Sequence, residues 1–239
     1  MMKITFLGSS HGVPEAHRRC ACTMIEISGR YYLVDMGMHA IEELRTRGIP
    51  VAAVQGVFLT HMHGDHANGL ISFVDLLSWY FKAADPVICL PKPEAVPIIE
   101  SWVTVTGAPL RHLRYQETAA GVVFDDGTLK VTAIPTQHCD RSYAYLLEAE
   151  GRKVLFTGDL KRPSVDFPAV INEEEIDLVV CEAAHFPATE YLPIYTGSKV
   201  KRVCVNHYAP WNIPNIQQLE KELPQLKVTM VNDGTEVML

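Results

Sequence analysis

The sequence has no stretch of about 18 consecutive apolar residues, so nothing in it reads as a membrane-spanning helix. The apolar run inside Met1 to Gly8 is too short for a secretory signal, and a cytoplasmic location is the expectation. No Ser/Gly/Pro-rich linker interrupts the 239 residues, which are read as one domain. Only six cysteines occur, Cys20, Cys22, Cys89, Cys139, Cys181 and Cys204, without the spacing of a disulfide framework, so free thiols are expected. Positive charge is also scarce: a formal net charge of −7 argues against a protein that coats nucleic acid non-specifically. What remains is a globular chain, 48% hydrophobic, long enough to bury a substantial core.

Chemistry is concentrated in residues 54 to 69. There an apolar, β-branched run, Val54 to Leu59, ends in His61-Met62-His63-Gly64-Asp65-His66. Alternate residues of an extended chain point the same way, so His61 and His63 can reach one ion from one side. Gly64 permits a tight turn. Asp65 and His66 then fall at the first turn of a helix predicted over Leu70 to Phe81 and can serve a second ion beside the first.

Further along, apolar runs repeatedly end in a single metal-binding residue. The strand predicted at 129 to 134 leads to His138, that at 153 to 157 ends in Gly158-Asp159, and Val200 to Val205 ends in Asn206-His207. Strand ends on a shared sheet edge form a rigid platform for ligands distant in sequence. Collected, the candidates are His61, His63 and His138 for one ion, Asp65, His66 and His207 for another, and Asp159 as the bridge. Imidazole and carboxylate without thiolate suit Zn or Mn, with Fe as a third choice, and leave positions open for water. Two divalent ions about 3.5–4 Å apart can hold a hydroxide between them and stabilise attacking and leaving oxygens. Such a pocket is locally cationic and would draw in a small anionic ester.

Hairpins are predicted around Ser28-Gly29, Asp126-Gly127, Glu150-Gly151 and Asp233-Gly234. Helical character marks 39 to 47 and about 94 to 103, with short strands at Ile4 to Leu7 and Val87 to Leu90 and a longer one over Val51 to Thr60. Residues 24 to 33 parallel 146 to 155 at an offset of 122, which also carries His63 onto His185. Two pseudo-repeated halves, about 1–120 and 121–239, are therefore expected, each a mixed sheet with helices on one face, stacked as an αββα four-layer sandwich.

The His-x-His-x-Asp-His motif, the Gly-Asp at 158 to 159 and the late His207 resemble the metallo-β-lactamase superfamily. The resemblance implies the αββα fold and the same ligand assignment over essentially the whole chain. Leu7-Gly8-Ser9-Ser10-His11-Gly12-Val13-Pro14 is similar to the opening of its ribonuclease Z and phosphoribosyl cyclic phosphodiesterase branch. In that branch a His some twenty residues before the last ligand is thought to act as general acid, which points to His185; Asp65 and His185 are the catalytic candidates, although Phe186 stands where a Ser or Thr usually follows. Only twenty residues separate His138 from Asp159, so no tRNA-clamping arm fits there. Asp159 stands where antibiotic-hydrolysing relatives commonly carry Cys, which disfavours lactam hydrolysis.

The leading expectation is a dinuclear hydrolase of a small cyclic or nucleotide-like phosphodiester, using a metal-bridging hydroxide. Its rivals are a hydrolase of a carboxylic ester, lactone or thioester, a di-iron redox or oxygen-sensing protein, and a metal carrier. Several residues stay open. Asp35 is a partner of a metal ligand or a turn cap; His11 reads as surface; Trp79, Tyr80 and Trp102 read as core rather than pocket wall. Cys20 and Cys22 with His17 could hold a structural zinc, and Lys161, Arg162, Arg111 and Arg114 could contact phosphate. Pairing of two copies, a homodimer through an exposed helix, is left open.

Overall fold

The structure, a computed structural model, describes residues 1–239. Fourteen strands form two seven-stranded sheets. The first contains β1 (Met2–Gly8), β2 (Cys22–Ile27), β3 (Arg30–Val34), β4 (Val54–Phe58), β5 (Val87–Leu90) and β6 (Arg114–Glu117). The second contains β7 (Gly121–Asp125), β8 (Lys130–Thr136), β9 (Ser142–Ala149), β10 (Arg152–Phe156), β11 (Leu178–Ala183), β12 (Arg202–Tyr208) and β13 (Lys227–Met230), while β14 (Glu236–Met238) returns to the first. The orders are β14-β1-β2-β3-β4-β5-β6 and β7-β8-β9-β10-β11-β12-β13, so the same succession of antiparallel then parallel pairings runs through both.

Each sheet is covered on both faces, which is why strands such as Cys22–Ile27 and Leu178–Ala183 are apolar almost throughout. Alternation along the strand divides the residues between layers. Ile25, Ile27, Leu147, Val154 and Phe156 meet between the sheets, with Tyr32, Phe58 and Tyr145 filling the gap. Met24, Leu33 and Val57 face the other way, against α1 (Ala40–Thr46), α3 (Gly69–Trp79) and α4 (Ala95–Val105), through Leu44, Phe73, Leu77, Ile99 and Val103. Leu146, Leu155, Val179 and Val203 likewise pack on Tyr191, Tyr195, Ile216 and Leu219, the last two from α8 (Ile213–Glu222). Each such Leu or Ile contributes about 1.5–3 kcal/mol by leaving water. The expected αββα sandwich is the observed architecture.

Two expected hairpins turn on the same device. Ser28 and Gly29 have φ of 51° and 76°, and Glu150 and Gly151 have 50° and 72°, the left-handed pair that a two-residue turn between twisted strands requires. The hairpin expected at Asp233-Gly234 does not form, because β13 pairs with β12 and β14 with β1, in different sheets. The turn is pinned by distant groups instead: Asp233 accepts from the Ser9 and Arg19 backbone N–H groups (2.9 and 2.8 Å), and Gly234 N donates to Phe6 O. The Val51–Thr60 strand also begins late, after a 3₁₀ turn at Val51–Ala53, and ends at Phe58, leaving residues 59 to 63 free to carry side chains to the sheet edge.

Candidate metal centre

The C-terminal ends of β3, β4, β8, β10, β11 and β12 meet at one rim of the sandwich. Tyr145, in β9, donates its hydroxyl to Leu59 O (2.7 Å), and Tyr143 N donates to Thr60 O (2.9 Å), so the second sheet holds the segment that delivers His61. His63 caps α2 (Gly64–Ala67), which puts Asp65 and His66 in its single turn.

All seven expected ligands converge. Donor atoms of His61, His63 and His138 lie within 4.8 Å of one another, as do those of Asp65, His66 and His207, and those of His61, His66 and Asp159. His61 Nε2 is 3.0 Å and His138 Nε2 3.2 Å from His63 Nδ1. Imidazole nitrogens bound to one tetrahedral zinc at about 2.0–2.1 Å would lie roughly 3.3 Å apart, so this spacing fits a shared ion. Asp159 Oδ2 is 3.7 Å from His61 Nε2 and His138 Nε2 and 3.5 Å from His207 Nε2, while its Oδ1 is 3.4 Å from His66 Nε2. It therefore stands between the two groups. His66 Nε2 and Asp159 Oδ1 are buried without a hydrogen-bond partner, where buried polar atoms are nearly always satisfied. Orphaned donors in a set of five imidazoles and two carboxylates, with no thiol, match a divalent cation site.

The ring nitrogens turned away from the centre are held. His66 Nδ1 meets Asp35 Oδ2 at 2.9 Å, and Asp35 Oδ1 accepts from Thr60 N (2.8 Å) and Thr60 Oγ1 (2.9 Å). Asp35 is thus the partner of a candidate ligand. His207 Nδ1 donates to Ser10 O at 2.8 Å, which leaves Nε2 as its inward donor. Asp35 and His207 are non-glycine residues in the left-handed region, φ 59° and 46°, backbone strain retained at the rim.

Electrostatics set the charge of two of the candidates. Burial, with the charge of neighbouring His66 adding to it, pushes His61 down to about 2, so its imidazole is neutral and available. Burial pushes the Asp65 carboxyl up, but the hydrogen bond and charge of His66 and the charge of His207 outweigh it and hold Asp65 ionised well below the usual range.

His185 follows β11, and its Nδ1 lies 2.8 Å from Glu182 Oε2 and 3.8 Å from Asp159 Oδ2. The Glu182 hydrogen bond, opposed by burial, raises His185 to about 9. Glu182 is buried and also accepts from the backbone N–H groups of Leu160, Ala184 and His185, tying the loop after Asp159 to the loop carrying His185. Asp166 does the same behind His138, accepting from Gln137, Lys161 and Arg162 N. Sequence reasoning missed Glu182, Asp166, Thr60 and Ser10. Only Glu182 left a signal, as the single charged residue in the fully buried strand Leu178–Ala183.

Other expectations are corrected. No metal-capable group includes His17, Cys20 or Cys22: Cys22 lies in β2 and packs in the core against the helices. Arg111 donates to Leu77 O and Ala84 O, and with Arg114 it pairs with Asp85; both guanidiniums brace the α3–β5 connection rather than the rim. For Lys161 and Arg162 nothing is overturned: both follow Asp159 with exposed side chains, and Arg162 pairs with Glu190 at 3.4 Å. Trp79, Tyr80 and Trp102 are 46%, 58% and 55% exposed, so the apolar faces of α3 and α4 are filled by Phe73, Leu77, Ile99 and Val103 instead. His11 is not free surface: its ring sits edge-on to Trp211, and Nδ1 meets Glu15 Oε1 at 3.2 Å.

A family model described as anti-Pycsar protein Apyc1 matches residues 2–209. The chain belongs to the Apyc1 family. Among curated proteins, the Apyc1-family chain is similar to ribonuclease Z of Haloarcula marismortui, 31% identical over 158 residues, 65% of this chain and 50% of that protein. It spans about half the length of the curated relatives it matches. Among solved structures, human tRNase Z, short form, superposes with a TM-score of 0.77 at 19% identity, covering 99% of this chain and 98% of that one. The metallo-β-lactamase fold protein YhfI of Bacillus subtilis gives 0.75 at 17% identity, with 99% and 98% covered. These likenesses establish the metallo-β-lactamase fold for the Apyc1-family chain.

Close packing behind the centre gives a first test. A Cβ on Gly37 would fall 1.7 Å from Asp65 O and 2.9 Å from Cys20 Cβ, while Met36 N already donates to His66 O (2.7 Å). Gly37→Ala must push α2 outward; it is expected to cost about 1–3 kcal/mol, as overpacking does, and to lower metal content together with Tm. A variant that melts and binds zinc as the parent does would show that the contact relaxes freely.

Proposed function

We propose that the protein is a metal-dependent phosphodiesterase with a dinuclear centre, acting on a small cyclic or nucleotide-like phosphodiester. The convergence of His61, His63, His138 and Asp65, His66, His207 about Asp159 carries this reading. In it, the first three imidazoles would hold one ion, Asp65, His66 and His207 would hold another, and Asp159 would serve both groups. Zinc or manganese suits such donors, and a bound pair supplies a nucleophilic hydroxide near neutral pH and positive charge for the phosphoryl oxygens.

The chain's own groups do the rest. Asp35 and Ser10 O fix the rings of His66 and His207, so the donor atoms are set before substrate arrives. His185, oriented through Nδ1 by Glu182, keeps Nε2 for a transferable proton and delivers it to the alkoxide that departs as the P–O bond breaks. The ribonuclease Z and tRNase Z names of its relatives, which denote nucleases, agree with a phosphodiester substrate.

A substrate panel on the metal-loaded protein tests the reading. Turnover of bis(p-nitrophenyl) phosphate and of a cyclic nucleotide, lost on chelation and restored by zinc or manganese, is the expected result. Hydrolysis of a lactone or thioester without any phosphodiester cleavage would overturn it.

A further inference from the structure

β8 and β10 run in the same direction toward the candidate centre, but β9 lies between them, so their ends stand two strand spacings apart, about 9–10 Å. The loops that follow them nevertheless bring His138 Nε2 to within 3.7 Å of Asp159 Oδ2. One side chain bridges those loops. Asp166, 9% exposed at the end of the short helix Pro163–Asp166, accepts through Oδ2 from Gln137 N (2.7 Å), next to His138, and from Lys161 N (3.0 Å), two residues past Asp159. Its Oδ1 accepts from Arg162 N (3.1 Å). No other hydrogen bond joins the loop of His138 to that of Asp159. Each loop also has an anchor of its own: Ser142 Oγ accepts from Cys139 N and donates to Cys139 O, and Glu182 accepts from Leu160 N. Asp166 therefore fixes where the two loops lie relative to each other.

A carboxylate suits that task because it only accepts, so neither oxygen opposes an incoming N–H; an amide of the same shape would turn its own donors toward the three backbone groups. The other set of donors is held by different means, His66 by Asp35 and His207 by Ser10 O. We propose that Asp166 is a positioning residue for one ion only: by drawing the two loops together it sets the His61, His63 and His138 group against Asp159, while Asp65, His66 and His207 keep their arrangement without it. This rests on the dinuclear centre of the phosphodiesterase reading.

Zinc affinity, measured by competition with a chelating dye, tests this without any turnover. His207→Ala breaks the second group and His138→Ala the first, so each variant reports on the group left whole. Adding Asp166→Asn should weaken zinc about 10–100-fold in the His207→Ala protein, the usual cost of losing a group that supports a ligand, and leave it unchanged in the His138→Ala protein. Asp177→Asn is the control. Asp177 is equally buried at the opposite end of the second sheet, where it accepts from Lys153 N and pairs with Arg152 and Lys201. Its substitution should lower the Tm of the metal-free protein and leave zinc affinity unchanged in both backgrounds. Equal weakening by Asp166→Asn in the two backgrounds, or a loss from Asp177→Asn as large as that from Asp166→Asn, would make Asp166 a general packing group and overturn the proposal. Unchanged affinity in the His207→Ala protein would overturn it as well. Asp166-dependent zinc binding in a protein that cleaves no phosphodiester would sink the enzymatic reading alone.

Discussion

Asp159→Ala is expected to abolish turnover of bis(p-nitrophenyl) phosphate. The loss should exceed the about 10–100-fold typical of removing a group that merely supports a ligand, because Asp159 stands between both donor sets. Its Oδ2 faces His61, His138 and His207 and its Oδ1 faces His66, so the substitution leaves four imidazoles without their common carboxylate. Charge makes the effect larger: in a buried site, two divalent ions held close together need an anion between them. Metal analysis should therefore show fewer ions per chain as well as the lost rate. Unchanged activity in metal-loaded Asp159→Ala protein would reject the dinuclear mechanism.

Removal of His185 should depend on the leaving group. With an alkyl or nucleoside leaving oxygen, an alkoxide must be protonated as it departs, and His185→Ala should lower kcat by about 10²–10⁴-fold, the usual worth of general acid catalysis. With p-nitrophenolate, which leaves unaided, the same variant should lose little. Glu182→Gln keeps the shape of the partner but removes the charge that holds His185 Nδ1, and it should move both substrates in the same directions by smaller factors. An equal loss on both substrates would assign His185 to ligand packing instead of proton delivery.

Much of this site was legible because its parts are local. His61, His63, Asp65 and His66 sit within six residues, and His138, Asp159 and His207 each close an apolar strand, so period and spacing were enough to collect them. The hairpins at Ser28-Gly29 and Glu150-Gly151 were legible for the same reason, since the turn itself sets the pairing. What escaped depends on contacts distant in sequence. Asp233-Gly234 carries the letters of a hairpin, yet its carboxylate is claimed by Ser9 and Arg19. Glu182 becomes a partner of His185 only when the backbone after Ala183 turns back on it. Trp79 and Trp102 have helical spacing with the rest of their helices but fall outside the buried stripe, a distinction of a few tens of degrees around the axis that periodicity does not resolve.

The pairing of β14 with β1 matches Lys3 with Met238 and Thr5 with Glu236. During synthesis the outer edge of β1 must wait, unbonded, for a strand made more than two hundred residues later. An exposed edge of this kind is a template for pairing with another nascent chain, and contacts this far apart form late. Pairing with β14 therefore closes that edge only once residues 236 to 238 have been made.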